Sequence, residues 1–159
     1  MDELLKLLKS NALESADNLG RMLGMSAGDV RERIREYEAQ GVIKGYQAVV
    51  NEDELDIDRV TAVIEVKVQP EREGGFDHVA QRIARFDEVE SAFLMSGNFD
   101  LLLFVSGRDL KTVASFVSEK LASLEGVTAT STAFMLKTYK HNGILMKAED
   151  EYERLQITP

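Results

Sequence analysis

Residues Val89–Val105 read VESAFLMSGNFDLLLFV, with two apolar-rich runs on either side of the tripeptide Ser96-Gly97-Asn98. Gly and Asn tolerate the positive φ of a tight turn, so two strand-like runs joined in this way predict a β-hairpin. The first run alternates, which predicts one strand face made of Val89, Ser91, Phe93 and Met95 and an opposite face made of Glu90, Ala92 and Leu94.

The second run, Phe99–Val105, is apolar nearly throughout, and a strand that is apolar on both faces has to be covered on both faces. Helices of the same chain can cover one face, whereas the other face needs a second protein surface. We therefore expect the hairpin to lie at the centre of a sheet that is also an assembly surface.

The sequence around the hairpin completes a β-α-β-β-α-β order, which is the ferredoxin-like arrangement. An alternating strand at Arg59–Gln69 is followed by a loop at Pro70–Gly75 and by an amphipathic helix marked by Phe76, Val79, Ala80, Ile83 and Phe86. A second helix runs from Arg108-Asp109 to near Gly126, with inward positions at Leu110, Val113, Phe116, Val117 and Leu121. The last strand, Val127–Thr138, is predicted to carry on one face Thr128, Thr130 and Thr132.

Residues 1–50 predict three short helices followed by a small β-wing. Ser15 or Asp17 can cap the second helix, and Ser26 begins the third with Asp29 as the acidic partner of a capping box. Two helices joined by a tight glycine-containing turn are typical of a helix-turn-helix. The stretch Val42–Val50 has the pattern of two short strands with Gly45 at their turn, which makes the predicted motif a winged helix-turn-helix.

We therefore predict an α+β fold with an N-terminal winged helix-turn-helix domain (1–50), an acidic linker (51–58) and a ferredoxin-like βαββαβ domain (59–139). A C-terminal tail (140–159) holds a short strand-like piece and a short helix. The absence of cysteine excludes disulfides, thiol catalysis and Cys-ligated metal sites. Apolar runs too short for a membrane span, and a charged N-terminus without a signal-peptide pattern, favour the cytoplasm.

The formal net charge of −9 argues against nucleic acid as a partner, but the charge is unevenly distributed. Residues 1–50 carry seven Lys or Arg and eight Asp or Glu, whereas residues 51–159 carry twelve and twenty. A nucleic-acid role for the first part of the chain therefore remains open.

The chain resembles the Lrp/AsnC family of feast/famine transcriptional regulators, up to about Asn142. The resemblance rests on MSAGDVRERIREYEAQGVIKGY (Met25–Tyr46), on MSGNFDLLLFV (Met95–Val105) and on LEGVTATST (Leu124–Thr132). It implies an N-terminal domain that binds double-stranded DNA and a C-terminal domain that assembles and senses amino acids. In such proteins the ferredoxin-like sheets pair into dimers, which often associate further into octameric rings, and small effectors, commonly amino acids, bind at dimer–dimer contacts near the Gly-Asn/Asp-aromatic-Asp turn.

A recognition helix places its N-terminal residues and exposed basic side chains against a major groove. Backbone N–H groups at its start can bind a phosphate, and arginines can reach phosphates or guanine edges. The predicted DNA-binding residues are Ser26, Ala27, Gly28, Arg31, Arg33, Arg35 and Lys44. In the alternative interpretation, the arginines pair with Glu36 and Glu38 on a solvated helix face.

Two acids, Asp29 and Glu32, lie close to where phosphates would pass, at positions where relatives usually carry small polar and basic residues. Each repels the duplex, so we expect one domain to bind weakly and with strong salt dependence. Assembly of several domains can compensate through avidity.

The turn after the first hairpin strand has the groups that an amino-acid effector needs. Gly97 allows close backbone approach, and Asp100 can hold an α-ammonium group. Ser96 and Asn98 supply hydrogen bonds. The predicted effector-binding residues are Ser96, Gly97, Asn98, Asp100, Thr130 and Thr132. In the alternative, this is a plain hairpin turn in which Asp100 bonds local backbone amides.

The hypothesis is a sequence-specific transcriptional regulator that forms a homodimer or a larger assembly such as an octamer and responds to an amino acid or related metabolite. It includes no cofactor, metal site, catalytic residue or membrane partner. One alternative is an amino-acid-sensing oligomer with little DNA affinity that acts through another protein, and binding to DNA at low salt separates the two. An enzyme is disfavoured because the sequence offers no nucleophile–base pair and no cluster of metal ligands.

Overall fold

The computed structural model describes residues 1–70 and 75–147. They form two compact units, Met1–Val49 and a second unit that begins at Val50. The predicted loop at Pro70–Gly75 lies mostly outside the described residues, and so does the predicted helix of the tail. No helix in the described parts of the chain is long and apolar enough to cross a membrane.

The first unit consists of three helices, α1 (Glu3–Ser10), α2 (Ala16–Leu23) and α3 (Ala27–Ala39). Each begins at a side-chain cap that accepts a hydrogen bond from a backbone N–H of the first turn, at Asp2, Ser15 and Ser26 respectively. Such caps stabilise a helix by about 1 kcal/mol each. The small core between the helices contains Leu4, Leu8, Leu19 and Val30.

The turn between α2 and α3 is tight because of two glycines. Gly24 ends α2 with a φ of 68°, a left-handed conformation that costs glycine little. A Cβ on Gly20 would lie 2.6 Å from the carbonyl oxygen of Met25, so only glycine lets the start of α3 approach α2 this closely. The predicted helix-turn-helix is confirmed.

The β-wing predicted over Val42–Val50 is not present. These residues form no strand, and a Cβ on Gly45 would meet nothing within 4 Å. Val42 and Tyr46 are about half exposed. A two-stranded ribbon of this length buries too little apolar surface to be stable by itself, which is the physical reason for the difference.

The second unit has the predicted β-α-β-β-α-β order. Its strands are β1 (Val60–Val68), β2 (Val89–Leu94), β3 (Leu101–Gly107) and β4 (Val127–Phe134), arranged as β2-β3-β1-β4 with every neighbour antiparallel. Its helices are α4 (Asp77–Ile83) and α5 (Leu110–Ser115), and α5 continues as a π-helical segment, Phe116–Leu121. A short 3-10 turn precedes the sheet at Glu52–Glu54, and a small hairpin follows it, made of β5 (Lys140–His141) and β6 (Ile144–Leu145).

The helices cover one face of the four-stranded sheet. The core on that side contains Ala62, Ile64, Val66, Val68, Val79, Ile83, Leu101, Leu103, Val105, Val113, Phe116 and Leu121. Residues that alternate with these on β1 and β3 are half-buried or exposed, as with Val63 and Phe104. The predicted alternation of β1 is confirmed, and the sheet has one covered and one open face.

The prediction that the whole hairpin lies at the centre of the sheet is wrong for one of its strands. β3 is central, whereas β2 is an edge strand.

The inward-facing stripe of α5 begins later than predicted, since Leu110 is 56% exposed. The helix approaches the sheet closely at Gly107, where an added Cβ would lie 3.0–3.2 Å from side-chain atoms of Thr112 and Val113.

Both edge strands contain a bulge that overturns part of the predicted alternation. In β2, Val89 pairs with Val105 but Ser91 pairs with Phe104, so Glu90 is an extra residue. Val89 therefore packs against the core together with Ala92, while Phe93 is on the open face.

In β4, a similar shift between Lys67 and Val68 of the partner strand leaves Thr128 out of the predicted threonine row. Bulges add one residue to one strand and reverse the faces of the residues beyond it.

The bulge in β2 is held by Arg59. Its guanidinium forms ion pairs with Glu90 and with Glu52, the latter at 3.0 Å. It also donates to the hydroxyl of Ser106 on β3 at 3.3 Å. Arg59 thus links the 3-10 turn before the sheet to strands β2 and β3.

Candidate nucleic-acid interface and effector turn

The start of α3 is fixed by the predicted capping box. The Ser26 hydroxyl oxygen accepts from the Asp29 N–H at 3.1 Å, and the Asp29 carboxylate accepts from the Ser26 N–H at 3.3 Å. Of Asp29 and Glu32, the two acids near the predicted phosphate path, Asp29 therefore has a structural partner. Ser26 can still donate its hydroxyl hydrogen, so a phosphate at this helix start meets a donor beside free backbone N–H groups.

The exposed side of α3 carries Arg31, Glu32 and Arg35. Val30 is fully buried and Ile34 packs on the same core, so helical periodicity turns these three outward. None of the three side chains forms a hydrogen bond or ion pair with another described residue. The alternative in which the arginines pair with Glu36 or Glu38 is therefore not what the described residues show.

Arg33 lies on the flank of α3, against the start of α1. Its guanidinium donates to the Asp2 carboxylate at 2.9 Å and to the Tyr37 hydroxyl oxygen at 3.2 Å, and lies 5.8 Å from the centre of the Tyr37 ring. Tyr37 donates in turn to Asp2 at 2.8 Å. Arg33 differs from the other two arginines because it connects two helices.

The pKa values of this cluster shift in the directions that its hydrogen bonds dictate. The pKa of Asp2 is lowered, mainly by the hydrogen bond from Tyr37 and then by that from the Leu4 N–H, with Arg33 adding to both. The pKa of Arg33 is raised by its bonds to Tyr37 and Asp2. Sequence reasoning missed Asp2 and Tyr37 as partners of Arg33, because Asp2 is recognisable in sequence only as the cap of α1.

The residues after α3 lie against the end of that helix. Lys44 is exposed, and its ammonium group lies over Gly41, where a Cβ would be only 2.7 Å from the nitrogen. The Tyr46 hydroxyl donates to Glu38 at 2.9 Å, and the pKa of Tyr46 is raised by burial and by that carboxylate. Of the predicted DNA-binding residues, Lys44 therefore lies at the opposite end of α3 from Ser26, Ala27 and Gly28.

In the predicted effector turn, Asp100 is bonded to the neighbouring strand. Its carboxylate accepts from the Val68 N–H at 2.8 Å, and its own N–H donates to the Val66 carbonyl at 3.0 Å. The Asp100 carbonyl closes the hairpin by accepting from the Met95 N–H at 2.8 Å. This is the kind of contact that the alternative interpretation expected, although the amide belongs to β1 and not to the turn itself.

The remainder of the turn is open. Ser96, Gly97 and Asn98 are exposed, and a Cβ on Gly97 would meet nothing within 4 Å. Their backbone N–H groups are therefore accessible to a ligand carboxylate.

The two threonines of β4 lie farther away. Thr130 pairs with Val66 and Thr132 with Ile64, so β1 separates both from the hairpin. Two strand spacings put Thr130 about 10 Å from the Asp100 backbone. Within one chain the structure does not bring the predicted effector residues together around one small ligand. In addition, no cluster of three potential metal ligands occurs among the described residues.

Comparison with known proteins gives a consistent result for both units. The Lrp/AsnC ligand binding domain matches residues 61–145, and a winged helix-turn-helix DNA-binding domain matches residues 3–44. The uncharacterized HTH-type transcriptional regulator YugG of Bacillus subtilis is 40% identical over 158 residues, which are 99% of this chain and 95% of that protein.

Two further relatives are similar to this chain at lower sequence identity. A proline dehydrogenase transcriptional activator of Rhizobium radiobacter is 30% identical over 142 residues, covering 89% of this chain and 90% of its own. The structure of a transcriptional regulator from Neisseria meningitidis in complex with L-Met has a TM-score of 0.65 at 24% identity, covering 89% of this chain and 93% of that one. At that identity, the likeness to the solved structure establishes the fold alone.

Proposed function

This chain belongs to the Lrp/AsnC family of DNA-binding transcriptional regulators, and from that membership we propose that it acts in the cytoplasm as a homo-oligomer that binds specific DNA sequences and is modulated by an amino acid or related metabolite. Its relatives are transcriptional regulators, so the chain is a regulator and not an enzyme. Oligomerisation, sequence specificity and the effector each have their own support.

The proposal of assembly rests on the position of the core, which lies on only one face of the sheet. All the fully buried side chains of the sheet face the helices, while the open face leaves Val63, Leu102 and Phe104 only half-buried and Phe93 50% exposed. Burial of such side chains stabilises by about 25 cal/mol per Å² of apolar surface. An interface of ordinary size takes about 800 Å² from each partner, which is comparable with a sheet face of four strands. A second copy of this chain is the proposed cover.

DNA binding is assigned to the exposed side of α3. Arg31 and Arg35 form no hydrogen bond or ion pair with another described residue, and Ser26 with the first N–H groups of α3 suits a phosphate. Arg33 and Lys44 remain proposed contacts, with Arg33 reaching DNA only from the flank of the helix.

Effector binding is assigned to the exposed turn Ser96–Asn98, with Asp100 at its base. Support comes from the match to a ligand binding domain and from the L-Met complex of the Neisseria relative. One carboxylate oxygen of Asp100 holds the Val68 N–H, and the carboxylate keeps further acceptor positions for an α-ammonium group. Thr130 and Thr132 pair with Val66 and Ile64 of the helix-covered face, so they then contribute from another subunit through a contact other than the open sheet face.

A second candidate function is a sensing oligomer with little DNA affinity that acts through another protein. The exposed carboxylate of Glu32, which has no partner among residues 1–70 and 75–147, favours it. Fluorescence anisotropy with a labelled fragment from upstream of its own gene, at about 50 mM and 200 mM salt, separates the two. The main proposal expects binding that weakens steeply with salt, and absence of binding at the lower salt would leave only the second.

Assembly and sensing are tested by measuring the solution mass of the full chain with and without a mixture of amino acids. A dimer or larger species is expected at micromolar concentration, and a monomer under both conditions would overturn the assembly proposal.

A further inference from the structure

We propose that Glu32 is a specificity-determining residue, which accepts a hydrogen bond from the N4 amino group of a cytosine in the major groove. This inference rests on the proposed function, because it requires α3 to enter DNA. It changes the role of Glu32 from a repulsive charge to a base-reading group.

The position of Glu32 on the helix is the first support. Glu32 is two residues from the fully buried Val30, and at 100° per residue it points about 200° away from the core. Gly28 lies equally far from Val30 on the other side, so Glu32 carries the side chain of the first two turns of α3 that projects most directly outward. The capping box at Ser26 orders the start of α3, and with it the backbone that carries Glu32.

The lack of an internal partner is the second support. Of the other acids of α3, Asp29 accepts from Ser26 and Glu38 accepts from Tyr46, whereas Glu36, like Glu32, has no such partner among the described residues. Glu32 has no hydrogen bond or ion pair with any described residue, although Arg35 lies at the i+3 spacing that allows one. Both side chains are therefore available for contacts outside the protein.

The hydrogen-bonding groups that each base presents in the major groove indicate which base Glu32 contacts. A carboxylate only accepts hydrogen bonds, so it is repelled by the O6 and N7 acceptors of guanine and by the O4 acceptor of thymine. Cytosine and adenine each offer an amino group, but in adenine the N7 acceptor lies beside it. Cytosine is the base whose major-groove edge offers Glu32 a donor without an adjacent acceptor. Arg35, three residues on, is placed to read a neighbouring guanine.

Gly28 makes a close approach possible. It precedes Glu32 by four residues on the same outward stripe, and a Cβ at Gly28 would meet only the Ser26 hydroxyl oxygen, at 3.5 Å. Without a side chain there, the backbone of α3 can lie deep enough for a glutamate to reach base edges.

The test is a selection from randomised DNA with the full wild-type protein, Glu32→Gln and the matched control Glu36→Gln, at one fixed low salt concentration. The wild type should enrich a cytosine by about tenfold at one position of each half-site. With Glu32→Gln that preference should change to adenine, whose N6 and N7 match a glutamine amide. Glu36→Gln makes the same charge change one turn later and should leave the preference unaltered.

Two results overturn the inference and differ from each other. If Glu32→Gln binds all sequences more tightly with unchanged base preferences, Glu32 only repels DNA, and the proposed DNA-binding function stands. If the wild type enriches no sequence, sequence-specific binding fails and the role of Glu32 fails with it. Thermal unfolding of each variant checks that the exposed substitutions leave the fold intact.

Discussion

The side chains of Asp2 and Arg33 lie 2.9 Å apart, although 31 positions separate them in the chain. Asp2 caps α1 and at the same time holds the arginine and the tyrosine of α3. A residue predicted to contact DNA is thereby also part of the link between two helices of the DNA-binding unit.

Arg33→Ala should lower both the melting temperature and the affinity for DNA, because it removes the contacts with Asp2 and Tyr37. Arg31→Ala should lower affinity alone, since Arg31 has no partner among the described residues. Thermal unfolding and anisotropy titrations on both variants measure the two effects. Equal melting temperatures of Arg33→Ala and the wild type would show that the Asp2–Arg33 contact adds nothing to stability.

Stability should depend on pH through Asp2. Its pKa is lowered by folding, so its contribution is fully present above about pH 4, the ordinary range of an aspartate, and is lost as the pH falls through the lowered value. Asp2→Asn should be less stable than the wild type at pH 7, with the gap closing as the pH falls below the ordinary range of an aspartate. The urea concentration at the unfolding midpoint, measured for both proteins from pH 7 downward, gives this difference in stability. A gap that is constant with pH would contradict the assignment.

Gly28→Ala should make the helix-turn-helix more stable and DNA binding weaker. The added methyl group has room, and alanine is favoured over glycine within a helix by about 0.5–1 kcal/mol. The same methyl group keeps α3 away from the base edges. Gly20→Ala is the matched control, because its Cβ would collide with the Met25 carbonyl at 2.6 Å and should destabilise the unit. Unchanged DNA affinity in Gly28→Ala would place the contact surface elsewhere.

Phe104→Lys should reduce the assembly to monomers. Phe104 is half-buried on the open face of the central strand β3, with the Phe93 ring edge-on at 6.2 Å, so a lysine there places a charge within the proposed interface. Leu110→Lys introduces the same charge on the helical side, where Leu110 is already exposed, and should leave the mass unchanged. Sedimentation velocity distinguishes them, and an intact assembly of Phe104→Lys would reject the open face as the interface.

Asp100→Asn should abolish effector binding without unfolding the chain. The asparagine oxygen can still accept from the Val68 N–H, whereas the charge that would hold an α-ammonium group is gone. Asp100→Ala also leaves that N–H unpaired and should cost about 1 kcal/mol of stability. Calorimetry with an amino-acid panel on all three proteins checks this. An effector that binds Asp100→Asn as tightly as the wild type would leave Asp100 a purely structural residue.

Local signals predicted most of the fold. Ser15, Ser26 and Gly24 mark helix ends by their own chemistry, and the alternation of β1 identifies its buried face. The capping box of the candidate DNA-binding helix was predictable for the same reason, as was the tendency of Asp100 to hold a backbone amide.

Features that depend on distant residues were not predictable. The bulge at Glu90 has no local signature, because a glutamate fits a regular exposed strand position equally well, and pairing with β3 creates the extra residue. Arg33 likewise matches an exposed position of α3, and its contact with Asp2 arises only when α1 packs beside it.

The irregular pairing along β2 and β4 has a consequence for growth of the sheet. Hydrogen-bonding groups at a regular border offer a template on which strands of further molecules can be added without limit. Here both borders are kinked, and one of them carries Glu90 tied to Arg59. In the proposed assembly, further copies are therefore expected to stack on the open face of the sheet and not to lengthen it, which favours closed particles of defined size over open fibres.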